Sequence, residues 1–281
     1  MICLRKILFI LCLLLLPNRG ITAQEKTTAD VVEDVAASVV VIAAKYSNTS
    51  DTGQGSGVII DDGTTVITNV HVVGGASEIV VHLQDGRSIK SKGYLKADTD
   101  RDLITIKIPK KFKGVKPIKL SKLKKIKIGT KVVAIGSPQG LTNTVSEGII
   151  SGIREFESGT RVIQTSAPVS PGSSGGGLFN MEGELIGITS FLHKGGQNLN
   201  FAYPAEYIFP LLVSVSINPF YNLKAPKTLI STESQSVYVT KTGKKYHRIT
   251  CRYLRTSIRE LTLSGAIGSG YRPCSVCKPM Q

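Results

Sequence analysis

Cysteine is scarce in this sequence, and the long middle part has none. Five cysteines occur among 281 residues, and residues 24–250 contain none of them. This absence excludes a small disulfide-stapled module for the main body, which must instead fold on its hydrophobic core. Cys251, Cys274 and Cys277 lie near the C-terminus, and three thiols cannot all pair within one chain. They therefore call for a metal ion or an intermolecular bond.

Long apolar runs are missing after the first residues. The opening segment MICLRKILFILCLLLLPNRGITAQ combines Arg5 and Lys6, an apolar stretch over residues 7–16, and small residues at 21–23. These are the three parts of an export signal, and the apolar stretch is short for a membrane span. We expect cleavage near Ala23 (signal peptide 1–23) and a periplasmic or secreted mature protein. Retention of the segment as an anchor is the alternative.

Acidic residues are absent from one long basic stretch. Residues 107–131 contain no aspartate or glutamate, and the formal net charge of the whole chain is +15. The tail adds cations that have only Glu260 nearby: Lys241, Lys244, Lys245, Arg248, Arg252, Arg255 and Arg259. Such an excess attracts polyanions, or it serves only as a solvated face that keeps the protein soluble.

Short alternating apolar runs dominate residues 24–212. Runs such as SVVVIAA, TVITNV, LITIKI and KVVAIG are separated by turn residues such as Asp62-Gly63 and Asp85-Gly86. Many brief strands at regular spacing predict an all-β barrel or sandwich. Helices are expected only in TTADVVEDVAASV and PAEYIFPLLVSV. Polar residues with two prolines predict a linker over 213–235, and a small second unit covers 236–281.

The segment PVSPGSSGGGLFN places two serines inside a run of glycines. A serine hydroxyl becomes a nucleophile only when an imidazole accepts its proton and a carboxylate orients that imidazole. His71 follows one predicted strand and precedes a Gly-Gly turn, and Asp102 directly precedes another. Asp98 and Asp100 are interpreted as loop residues. The order histidine, aspartate, serine is that of the chymotrypsin arrangement.

Four motifs in this order, VITNVHVV, DRDLITIKI, AIGSPQGLTNTVSEGIISG and PGSSGGGLFN, resemble the HtrA/DegP-like branch of trypsin-like serine proteases over residues 28–212. The resemblance implies two perpendicular six-stranded β-barrels with the site between them. It assigns His71, Asp102 and Ser174 as the triad, and the amides of Gly172 and Ser174 as the oxyanion hole. It further implies an exported endopeptidase that cleaves unfolded or misfolded envelope proteins in protein quality control, in a homotrimer.

The sequence departs from the family pattern near the serines. Ser173, Ser166 and Gly177 stand where the family often has Asn, Asp, and Pro or Ala. Pro168 occupies the position that selects basic residues in trypsin, so a charge-reading pocket is not expected. Residues 213–281 do not resemble the PDZ domains of typical members. We expect medium apolar residues before the cut, in a pocket lined by Ile188, Thr189, Ser190 and Phe201.

Two close pairs of candidate ligands lie in the tail: His247 with Cys251, and Cys274 with Cys277. Four nitrogen and sulfur ligands with no open position predict a structural Zn²⁺ ion. A Cys274–Cys277 disulfide or redox pair is the alternative. No cofactor is expected for catalysis.

The tail resembles the small zinc module at the start of the Ada DNA-repair protein. His247 stands where Ada has its methyl-accepting cysteine, so repair chemistry is not implied. The expected partner of this basic module is nucleic acid or an anionic envelope polymer, with Tyr246, Tyr253 and Tyr271 as stacking groups. A stability cap or a protein-docking module is the alternative. The alternative function for the whole chain is a catalytically dormant, protease-like scaffold whose basic zinc tail performs the recognition.

Overall fold

The computed structural model describes residues 26–47, 52–122, 126–137, 144–156, 158–170, 172–190, 200–214, 216–223, 236–254, 257–262, 266 and 269–277. The predicted signal peptide and residues 224–235 of the predicted linker lie outside the described residues. Among the helices within these ranges, none is both long and apolar enough to cross a membrane.

The described chain begins with a short helix, as the sequence predicts. Helix α1 covers Thr28–Val35, and Thr27 and Asp30 form a capping box at its start. A 3₁₀ turn, Ala36–Ser38, leads from this helix into the first sheet. Val31 and Val35 bury the inner face of α1 against the barrels described below.

Seven strands form the first sheet. A second short helix, α2 (Val70–Val73), lies between the third and fourth of these strands in the sequence. The strands are β1 (Val39–Lys45), β2 (Thr52–Ile60), β3 (Thr65–Asn69), β4 (Glu78–His82), β5 (Ser88–Lys90), β6 (Gly93–Asp98) and β7 (Leu103–Lys107). Their order in the sheet is β5-β4-β1-β2-β3-β7-β6.

The chain itself joins the two edges of this sheet. Only Ser91 and Lys92 separate β5 from β6. The Ser91 amide donates to Ile79 O at 2.9 Å, and the Lys92 amide donates to Lys107 O at 2.8 Å, so both edges continue through these two residues. Strands β5 and β6 are therefore two halves of one bent strand, and the sheet curls into a ring. This bend explains why seven strands are found where six were predicted.

The second sheet is a closed six-stranded barrel. It consists of β8 (Lys131–Gly136), β9 (Thr144–Glu155), β10 (Arg161–Thr165), β11 (Gly177–Phe179), β12 (Leu185–Ser190) and β13 (Asn200–Pro204), in the order β10-β13-β12-β11-β8-β9. The helix predicted after β13 is a 3₁₀ helix, Ala205–Leu211. Pro210 lies inside it, and proline has no amide hydrogen to donate to an α-helical ladder.

Part of the predicted linker packs on the first barrel. Asn218 exchanges two backbone hydrogen bonds with Tyr94, at 2.8 and 2.9 Å. A 3₁₀ turn, Phe220–Asn222, then places Phe220 and Leu223 in the apolar interior of that barrel. Residues 216–223 therefore belong structurally to the body.

The C-terminal unit consists of two small ribbons. Strand β14 (Ser236–Thr240) pairs antiparallel with β16 (Ile258–Thr262), and β15 (Lys245–Tyr246) pairs parallel with β17 (Arg272–Pro273). Tyr238 and His247 exchange backbone hydrogen bonds at 2.8 and 2.9 Å, which joins the ribbons. The apolar cluster of the C-terminal unit is small, and its buried members are Val237, Val239, Tyr246 and Ala266.

Side-chain alternation along the strands ties the two barrels together. On β2, Val58 and Ile60 enter a cluster shared by both barrels, whereas Ile59 points into the interior of the first barrel. On β8, Val133 enters the shared cluster and Val132 points into the second barrel. Strands at the interface are therefore buried on both faces, which fixes the relative position of the barrels.

Truncation of the shared cluster should destabilise the body. Ile67 is fully buried there. We expect Ile67→Ala to lower the free energy of unfolding by about 2–5 kcal/mol, because it leaves a cavity between the barrels. Urea unfolding followed by circular dichroism measures the change. Ile128→Ala is the control, since Ile128 is 69% exposed, and should change stability by less than about 0.5 kcal/mol. Equal effects of the two variants would contradict the shared cluster.

Candidate active site

Neighbouring strands bring His71 and Asp102 together. Helix α2 starts directly after β3, and Asp102 directly precedes β7, which pairs with β3 through Asn69 and Leu103. His71 Nδ1 lies 2.5 Å from Asp102 Oδ2, and the His71 amide donates to Asp102 Oδ1 at 2.9 Å. When Nδ1 donates to the carboxylate, Nε2 is left as a proton acceptor, which is the tautomer that a general base needs.

The Asp102 backbone is held in an unfavourable conformation. Its φ of 52° lies in the left-handed region, which costs free energy for a non-glycine residue. Two donors hold its carbonyl: the Val70 amide at 3.1 Å and Asn69 Nδ2 at 2.8 Å. Asn69 is fully buried, and its Oδ1 has no hydrogen-bond partner among the described residues. The side-chain amide of Asn69 therefore positions the backbone of Asp102.

Glycines let the serine loop, residues 168–177, approach the first barrel closely. Gly175 has a φ of 84°, and a Cβ atom there would lie 2.2 Å from Ser56 O and 2.3 Å from Thr68 Oγ1. A Cβ atom on Gly55 would lie 2.7 Å from the Val72 methyl groups and 3.3 Å from Ser174 O. Helix α2, which bears His71, and the loop that bears Ser174 therefore meet over Gly55. Only glycine fits at these contacts.

Ser56 on β2 fastens the serine loop to the first barrel. Its amide donates to Ser174 O at 2.8 Å, and its Oγ donates to Gly172 O at 2.9 Å. The same Oγ accepts from the Ser137 amide at 2.8 Å. Ser56 is fully buried, so water does not compete for these bonds.

The peptide between Gly172 and Ser173 is held at both ends. Ser56 binds its carbonyl, and its N–H donates to Ser170 O at 3.0 Å. No hydrogen bond within the described part of the chain uses the amide of Gly172 or of Ser174. Unused donors are one of the requirements of an oxyanion hole, so both amides stay candidates for it.

The four residues predicted to line a specificity pocket have different surroundings. Ile188 is fully buried in the shared cluster, because alternation on β12 points it between the barrels, so its side chain does not reach a substrate. Thr189 is buried too, and its Oγ1 donates to Ser173 O at 2.7 Å. Ser190 is 4% exposed, and Phe201 packs partly buried against the shared cluster. Residues 191–199 lie outside the described residues.

The four candidate metal ligands of the C-terminal unit lie together. One ligand atom from each of His247, Cys251, Cys274 and Cys277 falls within 4.8 Å of all the others. His247 Nδ1 lies 3.2 Å from Cys251 Sγ and 4.0 Å from Cys277 Sγ. The three cysteines are free thiols. In a tetrahedral site, Zn–S bonds of about 2.3 Å place sulfur atoms about 3.8 Å apart, so this geometry fits the ion.

Local electrostatics favour the ligating forms of two of these groups. Burial, assisted by Lys245, lowers the pKa of His247, so the imidazole is neutral at pH 7. Burial raises the pKa of Cys274, but hydrogen bonds from the amides of Cys277 and Val276 and from the thiols of Cys277 and Cys251 outweigh it and leave the pKa below its ordinary value. The pKa of the neighbouring Cys277 is raised, chiefly by burial. A neutral imidazole and a thiolate are the forms that bind a metal.

Sequence reasoning missed the residues that hold the candidate active site in place. These are Ser56 and Asn69, together with Thr189, which was predicted to line the pocket and instead anchors the serine loop. Ser56 lies between two glycines in GQGSGVII, and Asn69 lies two residues before His71. A buried polar residue beside glycines or beside a catalytic candidate is the available signal. Neither position shows in the sequence which carbonyl its side chain will contact.

Residues 55–188 match the family described as trypsin-like peptidase domain. A probable periplasmic serine endoprotease DegP-like from Halomonas elongata is 43% identical over 158 residues, which are 54% of this chain and 33% of that protein. A putative serine protease HhoA from Synechocystis sp. is 38% identical over 161 residues, 55% of this chain and 41% of that protein. The chain thus spans between a third and about two fifths of these curated relatives.

A solved structure of the HtrA-type protease AlgW with a tripeptide matches with a TM-score of 0.58 and 33% identity, over 64% of this chain and 60% of that chain. The AlgW structure with a decapeptide matches with a TM-score of 0.56 and 28% identity, over 64% and 65%. The two-barrel body therefore has an all-β, trypsin-like fold and is similar to the protease domains of HtrA-type and DegP-like serine proteases.

Removal of the Ser56 hydroxyl should slow peptide hydrolysis, because the carbonyl of Gly172 in the serine loop loses its hydrogen-bond donor. We expect Ser56→Ala to lower kcat about tenfold, a fraction of the effect of losing an oxyanion donor, with little change in KM. Kinetics on a fluorogenic peptide measure both constants. Ser121→Ala is the matched control, because Ser121 is also buried and its Oγ has no hydrogen-bond partner in the described chain. Unchanged kcat in Ser56→Ala would contradict the role assigned to this hydroxyl.

Proposed function

We propose that this chain is an exported serine endopeptidase of the HtrA/DegP-like kind that cleaves unfolded or misfolded envelope proteins. The proposal rests chiefly on the His71–Asp102 pair, which two hydrogen bonds hold together. Helix α2, which bears His71, and the carbonyl of Ser174 both approach Gly55. The names of the curated relatives, serine proteases and periplasmic endoproteases, support it. The name of the Halomonas elongata relative also supports a periplasmic location. Signal cleavage near Ala23 stays a prediction. The homotrimer implied by the resemblance stays a prediction.

The proposed reaction follows from these positions. Ser174 Oγ attacks the peptide carbonyl while His71 Nε2 accepts its proton, and the protonated imidazole then donates to the leaving amine. Asp102 orients the ring and stabilises its charged form. The amides of Gly172 and Ser174 bind the negative oxygen of the tetrahedral intermediate.

For specificity, we retain Thr189, Ser190 and Phe201 near the pocket and omit Ile188, whose side chain is fully buried. Pro168 and Thr189 line a small cavity of about 20 Å³ beside the serine loop. No carboxylate is among the described residues that line it, and its volume is that of about one water molecule. Cleavage after medium apolar residues therefore rests on Pro168, which stands where trypsin carries the aspartate that selects lysine or arginine.

The alternative is a dormant protease-like scaffold. A dormant body has no need to retain a carboxylate in a strained conformation against an imidazole, as Asp102 is retained against His71. That retained strain favours the catalytic proposal.

A fluorophosphonate probe tests the activity directly. We expect the wild-type protein to be labelled at Ser174 and to digest casein, because the probe requires an activated serine. Ser174→Ala should lose labelling and digestion while its circular dichroism stays unchanged. The neighbouring variant Ser173→Ala should retain labelling, because it keeps the Ser174 hydroxyl. A folded wild-type protein that is never labelled would support the dormant scaffold instead.

The C-terminal unit is proposed to hold one structural Zn²⁺ ion, with His247, Cys251, Cys274 and Cys277 as its ligands. Four ligands leave no open position, so the ion supplies stability to a unit whose apolar cluster is small. This unit and the body are proposed as separate domains.

Metal analysis of the purified protein tests this site. We expect inductively coupled plasma mass spectrometry to find one zinc ion per chain. The variant Cys274→Ser should lose the zinc, because the three remaining ligands hold the ion too weakly. Ser275→Ala is the matched control, since Ser275 is an exposed residue between two ligands. A metal-free protein with a Cys274–Cys277 disulfide, found by thiol titration, would contradict the proposal.

A second candidate function is polyanion binding by the C-terminal unit, with nucleic acid or an anionic envelope polymer as partner. Lys244, Lys245, Arg259 and Arg272 are exposed, and all four line one cavity of this unit. Such a surface attracts polyanions through the release of their counterions.

A further inference from the structure

A large cavity on the C-terminal unit is lined by cations. Its volume is about 790 Å³, and its wall includes Lys244, Lys245, Arg259 and Arg272 together with Tyr271. No acidic residue is among the described residues that line it. The cavity is separate from the metal ligands and from the serine loop, neither of which contributes to its wall.

Strand alternation sorts the charges of β16. Arg259 and Leu261 line the cavity, whereas Glu260, between them, points to the opposite face of the strand. The acid nearest in sequence is therefore directed away from the cations.

Like charges also lie directly opposite each other at the cavity. Lys245 is the register partner of Arg272 in the β15–β17 pair, and the Arg272 amide donates to Lys244 O at 3.0 Å. Like charges in opposite positions of a sheet destabilise it. The ion pairs found between described residues use other cations, so none of the four has a carboxylate within reach in the described chain. An anion in the cavity would relieve this repulsion.

The aromatic wall distinguishes between kinds of anion. Tyr271 is partly exposed in the cavity and packs against the apolar cluster of the unit, which fixes its ring. Tyr246, in contrast, is 2% exposed and belongs to that cluster, so it is not available for stacking. A fixed ring beside several cations is the arrangement that binds single-stranded nucleic acid, through bases on the ring and phosphates on the cations.

We infer that this cavity is a single-stranded nucleic-acid site in which the four cations contact successive phosphates and Tyr271 stacks on a base. The inference names the site and ligand of the proposed polyanion binding and rests on it. Four cations exceed the single charge of one phosphodiester, so the ligand spans more than one nucleotide. A double helix offers no unpaired base to the ring.

The test uses the full mature chain with its metal and a fluorescent oligodeoxythymidylate of about 20 nucleotides. Fluorescence anisotropy of the oligonucleotide measures its binding to the protein. We expect Lys245→Gln/Arg272→Gln to weaken binding about tenfold and to reduce the slope of log K against log salt by about 1.4, because each phosphate contact on a single strand contributes about 0.7. The control is Lys241→Gln/Arg252→Gln, which removes the same charge outside the cavity and should weaken binding less than about threefold.

A second pair of variants separates stacking from charge. Tyr271→Leu should weaken oligonucleotide binding several-fold and leave the binding of polyphosphate unchanged, because polyphosphate has no bases. Tyr271→Phe keeps the ring and should bind like the wild type. Zinc content and circular dichroism of each variant establish that the unit is folded.

The outcomes separate this inference from the function on which it rests. Equal weakening by the two charge pairs would overturn the site while polyanion binding stands. Polyphosphate or duplex DNA binding as tightly as the oligonucleotide, with no effect of Tyr271→Leu, would overturn the ligand class. A wild-type protein that binds no polyanion at low salt would overturn both.

Discussion

The candidate active site depends on the hydrogen bonds that Ser56 makes across the boundary between the barrels. One residue of the first barrel binds the carbonyls of Gly172 and Ser174 in the second barrel. These bonds hold the central peptide of the serine loop, and no hydrogen bond among the described residues uses the amides on either side of it. A shift of one barrel against the other would break all of them together. The arrangement of the site is therefore only as fixed as the packing between the barrels.

That packing explains why both faces of the interface strands are apolar. Val58 and Ile59 are neighbours on β2, yet one enters the shared cluster and the other the barrel interior. Two barrels buried against each other in this way resist the small displacements that would misplace catalytic groups. The stability of the shared cluster also compensates for the left-handed backbone of Asp102 and the unpaired Oδ1 of Asn69.

The C-terminal unit is organised by different physics. Its apolar cluster has few members, and a metal ion would supply the stability that a larger core supplies in the body. Backbone hydrogen bonds between Tyr238 and His247 connect the ligand region to β14. The parallel pairing that brings Cys274 towards His247 also places Arg272 opposite Lys245. The pairing of β15 with β17 thus brings candidate metal ligands together and also places two positive charges opposite each other.

Sequence alone determined the all-β class, the order of His71, Asp102 and Ser174, and the set of four candidate metal ligands, because alternation, turn residues and ligand spacing are local properties. It could not reveal that Ser56 and Asn69 hold the site, that residues 216–223 pack on the first barrel, or that the wall of a basic cavity combines Arg259 with Arg272. Nor could it tell that Ile188 and Tyr246 are buried while Tyr271 is accessible. Those facts depend on which strands pair and in which register, and pairing between residues distant in the chain is decided only when the whole body packs.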